Sequence, residues 1–404
     1  MKLALVLSGG GAKGSYELGV YKALRRLHIK PDIITGTSIG SLNGALLVTG
    51  DYRKAKKLWL TMSSKEVFGH DFENKKSYLK FMAEVVKNKG VKFDKAEEIM
   101  SKYVNEKKIR RSKTDFGLIT YNLKSRLPKS LTKKDIPEGK MLSYIMASAS
   151  CFPLVEVKKV DGEEYIDGGF YDNLPINLAI EMGADKIIAV DLSAIGIKQK
   201  VKNKDIKIDY ITTTLIKDFI LDFNPKAAKK NMMLGYNDTM KHFKKLDGKN
   251  YTFKKGQLNK NYKKAEKNYI SLLKETLMEN KKNKVTDILK NRIYKNIFDN
   301  VNQDKSIESE INSSMEYLAE LYGIDKEFIY KADDFNKILL KSAREYSYIT
   351  VDKNLKGKML ISYIYNKYMD SQDKQEINNK LYNIALLFQK DFLAVLYLIA
   401  ISKK

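Results

Sequence analysis

The sequence predicts an α/β fold, in which helices cover a mostly parallel sheet, followed by a mainly α-helical C-terminal domain. Two observations lead to this prediction. In the first half, short apolar runs alternate with helical patterns, an order typical of a parallel sheet with helices on both faces. After Pro225 there is no further proline and only five of the 23 glycines, so the residues that end helices and form turns become scarce.

The first half contains four runs with strand character. They are LALVL (3–7), DIITG (32–36), DFGLITYNL (115–123) and KIIAVDL (186–192). Between the first two runs, apolar side chains recur at helical spacing, at Tyr16, Val20, Leu24 and Leu27. This strand, helix, strand order is the repeating unit of a parallel sheet.

Two domains are predicted, residues 1–200 and 201–404, because single hydrophobic cores seldom grow beyond roughly 250 to 300 residues. The boundary is set near residue 200, where the lysine-rich stretch GIKQKVKNKDIKID is typical of a surface connection. Further along, Ile311, Met315 and Leu318 form a helical stripe that Gly323 is placed to cap. We expect residues 201–404 to be a basic accessory domain that adapts the protein to a membrane or a partner.

The formal net charge of +25 favours anionic partners, either nucleic acid or a membrane surface with acidic lipids. Lysines that merely solvate helix faces would give the same total net charge.

The single cysteine, Cys151, excludes an internal disulfide and fits a reducing compartment, so a cytoplasmic location is expected. With one cysteine and three isolated histidines, no metal and no cofactor are expected. The N-terminal apolar run is too short for a signal peptide and is better interpreted as a strand.

A glycine-rich loop, GGGAKG, follows the first predicted strand and matches G-x-G-x-x-G from Gly9 to Gly14. Such a loop can bind a dinucleotide, or its amides can stabilise the oxyanion of a transition state. A dinucleotide site needs an acidic residue at the end of the second strand, but Asp32 lies at the start of that strand. The loop is therefore better suited to a transient oxyanion.

The motif GTSIG lies between the second predicted strand and a helix of small residues, which is the setting of a nucleophile elbow. Gly36 and Gly40 lack Cβ atoms, so the chain can turn sharply and expose Ser38 at a helix N-terminus. The helix macrodipole there favours developing negative charge. A chance match in a glycine-rich turn would produce the same five letters.

A serine nucleophile needs a base, and none of the three histidines is placed convincingly. They lie at a predicted helix end, in a polar loop and among lysines, at His28, His70 and His242. A better candidate is Asp167, which follows a short strand and precedes Gly168 and Gly169. Taken alone, this Asp-Gly-Gly would be interpreted as a hairpin turn.

The three motifs in this order resemble the patatin-like phospholipase family. The resemblance includes GGGAKG, GTSIG, the small-residue segment ASASCFP (147–153), and the Asp-Gly-Gly with NLP shortly after it. It covers roughly residues 1–200, and no motif of the family follows. Lys13 stands where plant-type members carry arginine, which leaves the head-group preference open. The neighbouring Cys151 is interpreted as a small packed residue.

The resemblance implies a Ser-Asp dyad in which Ser38 attacks the ester carbonyl and Asp167 accepts the proton of its hydroxyl. The amides of Gly9, Gly10 and Gly11 would form the oxyanion hole. Other glycines would support the turns around the site, namely Gly14, Gly36, Gly40, Gly168 and Gly169. An acyl-enzyme would form and then be hydrolysed by water.

The implied activity is that of a phospholipase A or lysophospholipase acting on a phospholipid or another acyl lipid, at an anionic membrane to which the protein binds peripherally. No nucleic acid partner is expected, and the sequence identifies no protein partner. Two alternatives remain open: an esterase or acyltransferase for small soluble acyl donors, and a non-catalytic module that binds anionic lipid or nucleic acid.

The C-terminal stretch, residues 381–404, is the most apolar in the chain. Its longest uncharged run, Phe392 to Ser402, is too short to span a bilayer, which needs about 20 residues. It is predicted to be either a buried core helix or an interfacial helix anchored by Lys403 and Lys404.

Overall fold

A computed structural model describes most of the chain. The described residues are 1–70, 72, 75–213, 215–216, 219–278, 307–346, 356–372 and 377–403, without 379, 382–383 and 385–386. The chain forms two compact units, Met1–His242 and Phe243–Lys404.

The first unit contains a sheet of eight strands. These are β1 (Leu3–Leu7), β2 (Ile33–Thr37), β3 (Asp115–Asn122), β4 (Leu127–Thr132), β5 (Lys158–Val160), β6 (Glu163–Asp167), β7 (Lys186–Asp191) and β8 (Lys207–Thr212). Its described helices are α1 (Ser15–Arg26), α2 (Ile39–Leu47), α3 (Tyr52–Thr61), α4 (Ser64–Phe68), α5 (Lys75–Asn88), α6 (Asp94–Ser101), α7 (Glu106–Arg111), α8 (Met141–Ser148), α9 (Ile176–Glu181) and α10 (Pro225–His242). Single 3₁₀ turns occur at Gly11–Gly14 and Gly168–Phe170.

The sheet is mixed, with strand order β5-β6-β3-β2-β1-β7-β8 and with β4 beside β3. Strands β3, β2, β1, β7 and β8 run parallel, whereas β4 and β6 are antiparallel to β3 and β5 is antiparallel to β6. The four predicted runs are β1, β2, β3 and β7. Buried parallel strands require continuous apolar sequence, which is why their sequences predicted the α/β class, and that prediction is confirmed.

Strands β2 and β6 approach one edge of β3 from opposite directions. Thr37 at the end of β2 lies opposite Ile119, and Asp167 at the end of β6 lies opposite the next residue, Thr120. Strand β4 occupies the other edge of β3 over the same stretch, so β2 and β6 must share the first edge. The residue after β2, Ser38, therefore lies beside Asp167.

Helix α10 belongs to the first unit because it packs closely on α1. A Cβ atom at Gly19 would lie 2.0 Å from the carbonyl oxygen of Met232, and one at Gly235 would lie 2.1 Å from that of Tyr16. The two helices are also joined by a hydrogen bond of 2.8 Å from the Tyr16 hydroxyl to Asp238. The units consequently divide after His242, later than the boundary set near residue 200.

The second unit is mainly helical, with a three-stranded sheet. Its described elements are β9 (Leu246–Asp247), β10 (Thr252–Lys254), α11 (Gln257–Met278), α12 (Ile307–Leu321), β11 (Ile329–Tyr330), α13 (Ala332–Glu345), α14 (Lys358–Asp370) and α15 (Gln389–Ser402). The predicted stripe Ile311, Met315 and Leu318 lies on α12 and is buried in the core of this unit. Gly323 has φ +70° just after that helix, as the predicted cap requires.

Helix α15 contains the uncharged run Phe392 to Ser402 of the apolar C-terminal stretch and is buried on every side from Asp391 to Ala400. A helix that is apolar all round belongs in a core. Of the two predictions the core helix is confirmed for α15, and the interfacial helix is wrong for it, because its described residues from Asp391 to Ala400 leave no apolar face for lipid. Among the described residues, no helix is both long and apolar enough to cross a membrane. An accessory role for this unit stays a prediction.

Candidate functional site

Ser38 lies in a sharp turn between β2 and α2, with φ 57° and ψ −126°. A serine rarely adopts positive φ, and such strain is a feature of nucleophile elbows. Its amide donates a 2.9 Å hydrogen bond to the Ser148 hydroxyl, which in turn donates a 2.7 Å bond to the Ile119 carbonyl. Through this chain of hydrogen bonds, α8 and β3 hold the turn in place.

The glycines on either side of Ser38 are needed for space. A Cβ atom at Gly36 would lie 2.3 Å from the carbonyl group of Gly40, and one at Gly40 would lie 2.4 Å from the Leu7 carbonyl oxygen. Because these neighbours are backbone atoms of helix α2 and of the central strand β1, they cannot move aside cheaply. The predicted supporting role of both glycines agrees with this geometry.

Asp167 is buried at the end of β6, where its carboxylate accepts a 2.7 Å hydrogen bond from the Gly169 amide and lies beside the Ser38 hydroxyl. Burial raises the pKa of Asp167 to about 6, although the neighbouring Ser38 hydroxyl and the Gly169 amide favour the ionised form. A carboxylate with a pKa near neutrality, in contact with a hydroxyl, is suited to accept that hydroxyl's proton. The structure thus brings the predicted nucleophile and the predicted base together.

The glycine loop lies against the same turn. The amides of Gly10 and Gly11 have no hydrogen-bond partner among the described residues, and both glycines line the cavity that contains Ser38. The amide of Gly9, in contrast, donates a 3.0 Å bond to the Asn173 carbonyl, and that of Ala12 donates a 2.7 Å bond to Ile220. Gly9 is therefore engaged elsewhere, which corrects the prediction that it contributes an oxyanion donor.

The remaining predicted glycines allow close packing around the site. A Cβ atom at Gly14 would lie 2.6 Å from the Ile39 side chain, and one at Gly168 would lie 2.2 Å from the Ile119 carbonyl oxygen. The glycine loop can therefore approach α2, and the Asp167 turn can approach β3.

Asn173, in the NLP segment, supports the site although it was not among the predicted site residues. Its backbone carbonyl accepts the hydrogen bond from the Gly9 amide, and its side-chain amide donates a 3.3 Å hydrogen bond to the Gly9 carbonyl. Its side chain occupies the space that a Cβ atom at Gly9 would need. Asn173 and Ser148 lie in segments that the sequence marked only as NLP and ASAS, without specifying which side chains bond to the site.

A buried polar network lies behind the glycine loop. The side-chain amide of Asn43 donates to Glu17 at 2.8 Å and to the Gly14 carbonyl at 2.9 Å, and it accepts a 2.9 Å bond from the Trp59 indole. Glu17 is fully buried, and burial raises its pKa well above the ordinary value. The network fixes α1, α2 and α3 to one another. Nothing in the local sequence pattern indicates it.

The cavity beside Ser38 and Asp167 has a volume of about 650 Å³. Its lining is predominantly apolar and includes Met62, Val67, Phe68, Phe93, Met100, Met146, Phe152 and Leu154. Cys151 also lines it, but burial and the nearby Asp167 carboxylate raise the pKa of this thiol to about 12. A thiol that stays protonated is a poor nucleophile, which agrees with the prediction of a packed residue.

All three histidines lie within the described residues, and none lines the cavity. His70 forms a 2.8 Å contact with Glu84, His242 forms a 3.6 Å contact with Asp209, and His28 follows α1 with a φ of 58°. In the part of the chain that the structure describes, no three side chains of His, Cys, Asp or Glu are grouped as metal ligands would be.

Comparison with known proteins gives a consistent result for the first unit. The family model for patatin-like phospholipase matches residues 5–180. Lysophospholipase nte1 of Aspergillus terreus (strain NIH 2624 / FGSC A1156) is 32% identical over 198 residues, which cover 48% of this chain and 12% of that protein. Patatin-like phospholipase domain-containing protein 7 of Rattus norvegicus is 30% identical over 203 residues, which cover 48% of this chain and 14% of that protein.

The chain therefore spans only a small part of the length of these curated relatives. Among solved structures, VipD from Legionella pneumophila aligns over 99% of this chain and 91% of its own, at 14% identity and a TM-score of 0.35. A likeness at that score does not establish a shared fold.

Proposed function

Residues 5–180 belong to the patatin-like phospholipase family, and on that premise we propose that the first unit hydrolyses lipid acyl esters of the phospholipase A or lysophospholipase type. The placement of Ser38 beside the buried Asp167, where the ends of β2 and β6 meet on β3 and both residues line one cavity, carries the proposal. The substrate is a phospholipid or another acyl lipid, reached by peripheral binding to a membrane.

The reaction begins when the Ser38 oxygen attacks the ester carbonyl while its proton moves to the Asp167 carboxylate. The carbonyl oxygen becomes an oxyanion, which the free amides of Gly10 and Gly11 stabilise; one such donor contributes roughly 2.7 to 4 kcal/mol. Collapse of the tetrahedral intermediate expels the alcohol, which takes the proton from Asp167. Ser38 is then acylated.

In the second half-reaction a water molecule gives its proton to Asp167 and attacks the acyl-enzyme. Collapse releases the carboxylic acid and returns the proton to Ser38. One carboxylate thus acts as base and acid in turn, which its pKa of about 6 suits.

The apolar cavity supports a long acyl chain as the group transferred to Ser38, since apolar pockets of this size bury most of an elongated ligand. Comparing turnover of long-chain lysophospholipid with that of acetyl esters tests this. We expect kcat/KM to favour the long chain by several orders of magnitude. Equal or better turnover of acetyl esters would support the alternative, an esterase for small acyl donors.

The rate should depend on pH through Asp167. Only the ionised carboxylate can accept a proton, so kcat/KM for a soluble ester is expected to fall about tenfold per pH unit below about 6 and to level off above it. Stopped assays between pH 4 and pH 9 measure this. Asp172 provides the control, because burial raises its pKa to about 6 as well. Asp172→Asn should leave the fall in kcat/KM below pH 6 unchanged. A profile that stays flat down to pH 4 would contradict the role of Asp167.

The histidines should be dispensable for hydrolysis. Replacing His28, His70 and His242 together with glutamine is expected to retain most of the turnover of a soluble ester, because none of the three lines the cavity. The folded state is verified by circular dichroism. A folded triple variant without activity would show that a histidine, and not Asp167, is the base.

A further inference from the structure

The loop of residues 193–202, SAIGIKQKVK, places apolar side chains in solvent at the mouth of the cavity. Ile195 is fully exposed and Ile197 is 54% exposed, and both line the mouth. Phe170, 44% exposed, lines the mouth as well. In the same loop, Val201 packs against the core of the unit, so the exposure is specific to the residues at the mouth.

The loop is held in position while these side chains face water. The Ile197 amide donates a 2.9 Å bond to the Gly169 carbonyl, and the Ile197 carbonyl accepts a bond from the Asn173 amide. Gln199 adds a 2.7 Å side-chain bond to the Tyr171 carbonyl. These partners belong to the segment that follows Asp167, so the loop is fixed to the site at Ile197 and Gln199.

Positive charge lies directly beside the apolar side chains. The 193–202 loop contains three lysines and no acidic residue. Lys198 pairs with Asp191 at 2.5 Å and Lys202 with Glu181 at 2.9 Å. Lys200 is exposed and forms no ion pair with any described residue. An anionic surface can therefore interact with Lys200 without breaking an existing pair.

We propose that the 193–202 loop and Phe170 dock the mouth of the cavity onto an anionic lipid surface. Ile195 and Ile197 enter the boundary between head groups and acyl chains, and Lys200 contacts lipid phosphate. This inference rests on the proposed function, because a lipid chain must pass from the bilayer into the cavity. It assigns membrane contact to the first unit, whereas the sequence had suggested the C-terminal stretch.

A lipid surface fits better than a protein partner because the exposed apolar side chains line the opening of a predominantly apolar cavity. An acyl chain leaving the bilayer would stay out of water along that route. Exposed apolar side chains beside lysines are also the composition of segments that bind at the bilayer interface.

Co-sedimentation with vesicles tests the proposal, using full-length protein with Ser38→Ala so that lipid is not consumed. Vesicles contain phosphatidylcholine alone or phosphatidylcholine with phosphatidylserine. Ile195→Ser with Ile197→Ser is expected to weaken binding about tenfold or more on both. Lys200→Glu should weaken binding only to the anionic vesicles, and this loss of binding should become smaller as the salt concentration rises. Val86→Ser is the control, since Val86 is 77% exposed and does not line the cavity.

A second measurement locates the contact directly. The one native thiol, Cys151, is largely buried and its pKa is raised to about 12, whereas position 195 is fully exposed, so a cysteine introduced as Ile195→Cys should react much faster with a polarity-sensitive fluorophore. Anionic vesicles should shift its emission to the blue and leave the same label at Val86→Cys unchanged.

The proposal is overturned if the isoleucine variant binds like the parent, if Val86→Ser loses as much binding, or if the label at 195 does not shift. Turnover of a soluble ester by wild-type protein is measured in parallel. If the wild-type protein does not turn over the ester, the hydrolase function is refuted. The vesicle measurements, in contrast, test only the docking surface.

Discussion

Replacing Ser38 with alanine is expected to abolish ester hydrolysis, lowering kcat by about four orders of magnitude or more. The variant lacks the oxygen that attacks the carbonyl, and among the described residues that line the cavity the remaining thiol, Cys151, has a pKa raised to about 12 by burial. Asp167→Asn should lower kcat to a similar level, because an amide cannot accept the proton of the Ser38 hydroxyl. Steady-state turnover of a soluble ester measures both effects.

The double variant distinguishes a dyad from two independent groups. Residues that act as a unit give non-additive losses, so Ser38→Ala with Asp167→Asn should be no slower than either single variant. Asparagine retains an oxygen that can accept the Gly169 amide, so the variants are expected to keep the thermal transition of the parent. Losses that multiply in the double variant, or an active folded Asp167→Asn, would contradict the mechanism.

Gly40→Ala is expected to destabilise the first unit by roughly 3 kcal/mol or more, despite its place in helix α2. In an open helix the change would stabilise by about 1 kcal/mol. Here the added methyl would lie 2.4 Å from the Leu7 carbonyl oxygen, so α2 must move away from β1 and displace Ser38. Chemical denaturation measures the change in the free energy of unfolding, and turnover should fall with it.

Gly44, one turn further along the same helix, offers a matched control. A Cβ atom there would lie 3.0 Å from the Phe116 ring and 3.2 Å from the Ile34 side chain, both of which can shift. Gly44→Ala should therefore cost no more than about 1 kcal/mol. If Gly40→Ala proved as stable as wild type, the close approach of α2 to β1 would not be what requires glycine in the elbow.

Local sequence predicted the residues whose function depends on local geometry. The elbow at Ser38 needs a strand, a sharp turn and a helix in succession, and the motif encodes all three within ten residues. The short strand and glycines around Asp167 made it a candidate, and the resemblance to the patatin-like family then implied its role as the base. The reason it meets Ser38 is not local: β6 must pair with β3 at the residue just beyond the end of β2, a long-range register that no short motif specifies.

Sequence could not predict which backbone groups are already occupied. Gly9, Gly10 and Gly11 are the same residue type in consecutive positions. The Gly9 amide is not free because it donates a hydrogen bond to the Asn173 carbonyl, a contact that depends on the tertiary fold. The network around Glu17 and Asn43 is assembled from separate helices for the same reason. Similarly, the apolar pattern of α15 fits a core or a membrane interface, and only its packing decides between them.

Covalent labelling tests most directly whether Ser38 is a nucleophile activated by Asp167. Full-length protein is treated with a fluorophosphonate ester at pH 8, and the adduct is located by peptide mass spectrometry. We expect a single adduct on Ser38, none on Ser38→Ala, and strongly slowed labelling of Asp167→Asn. An adduct on another residue, or equal labelling rates with and without the Asp167 carboxylate, would contradict this mechanism.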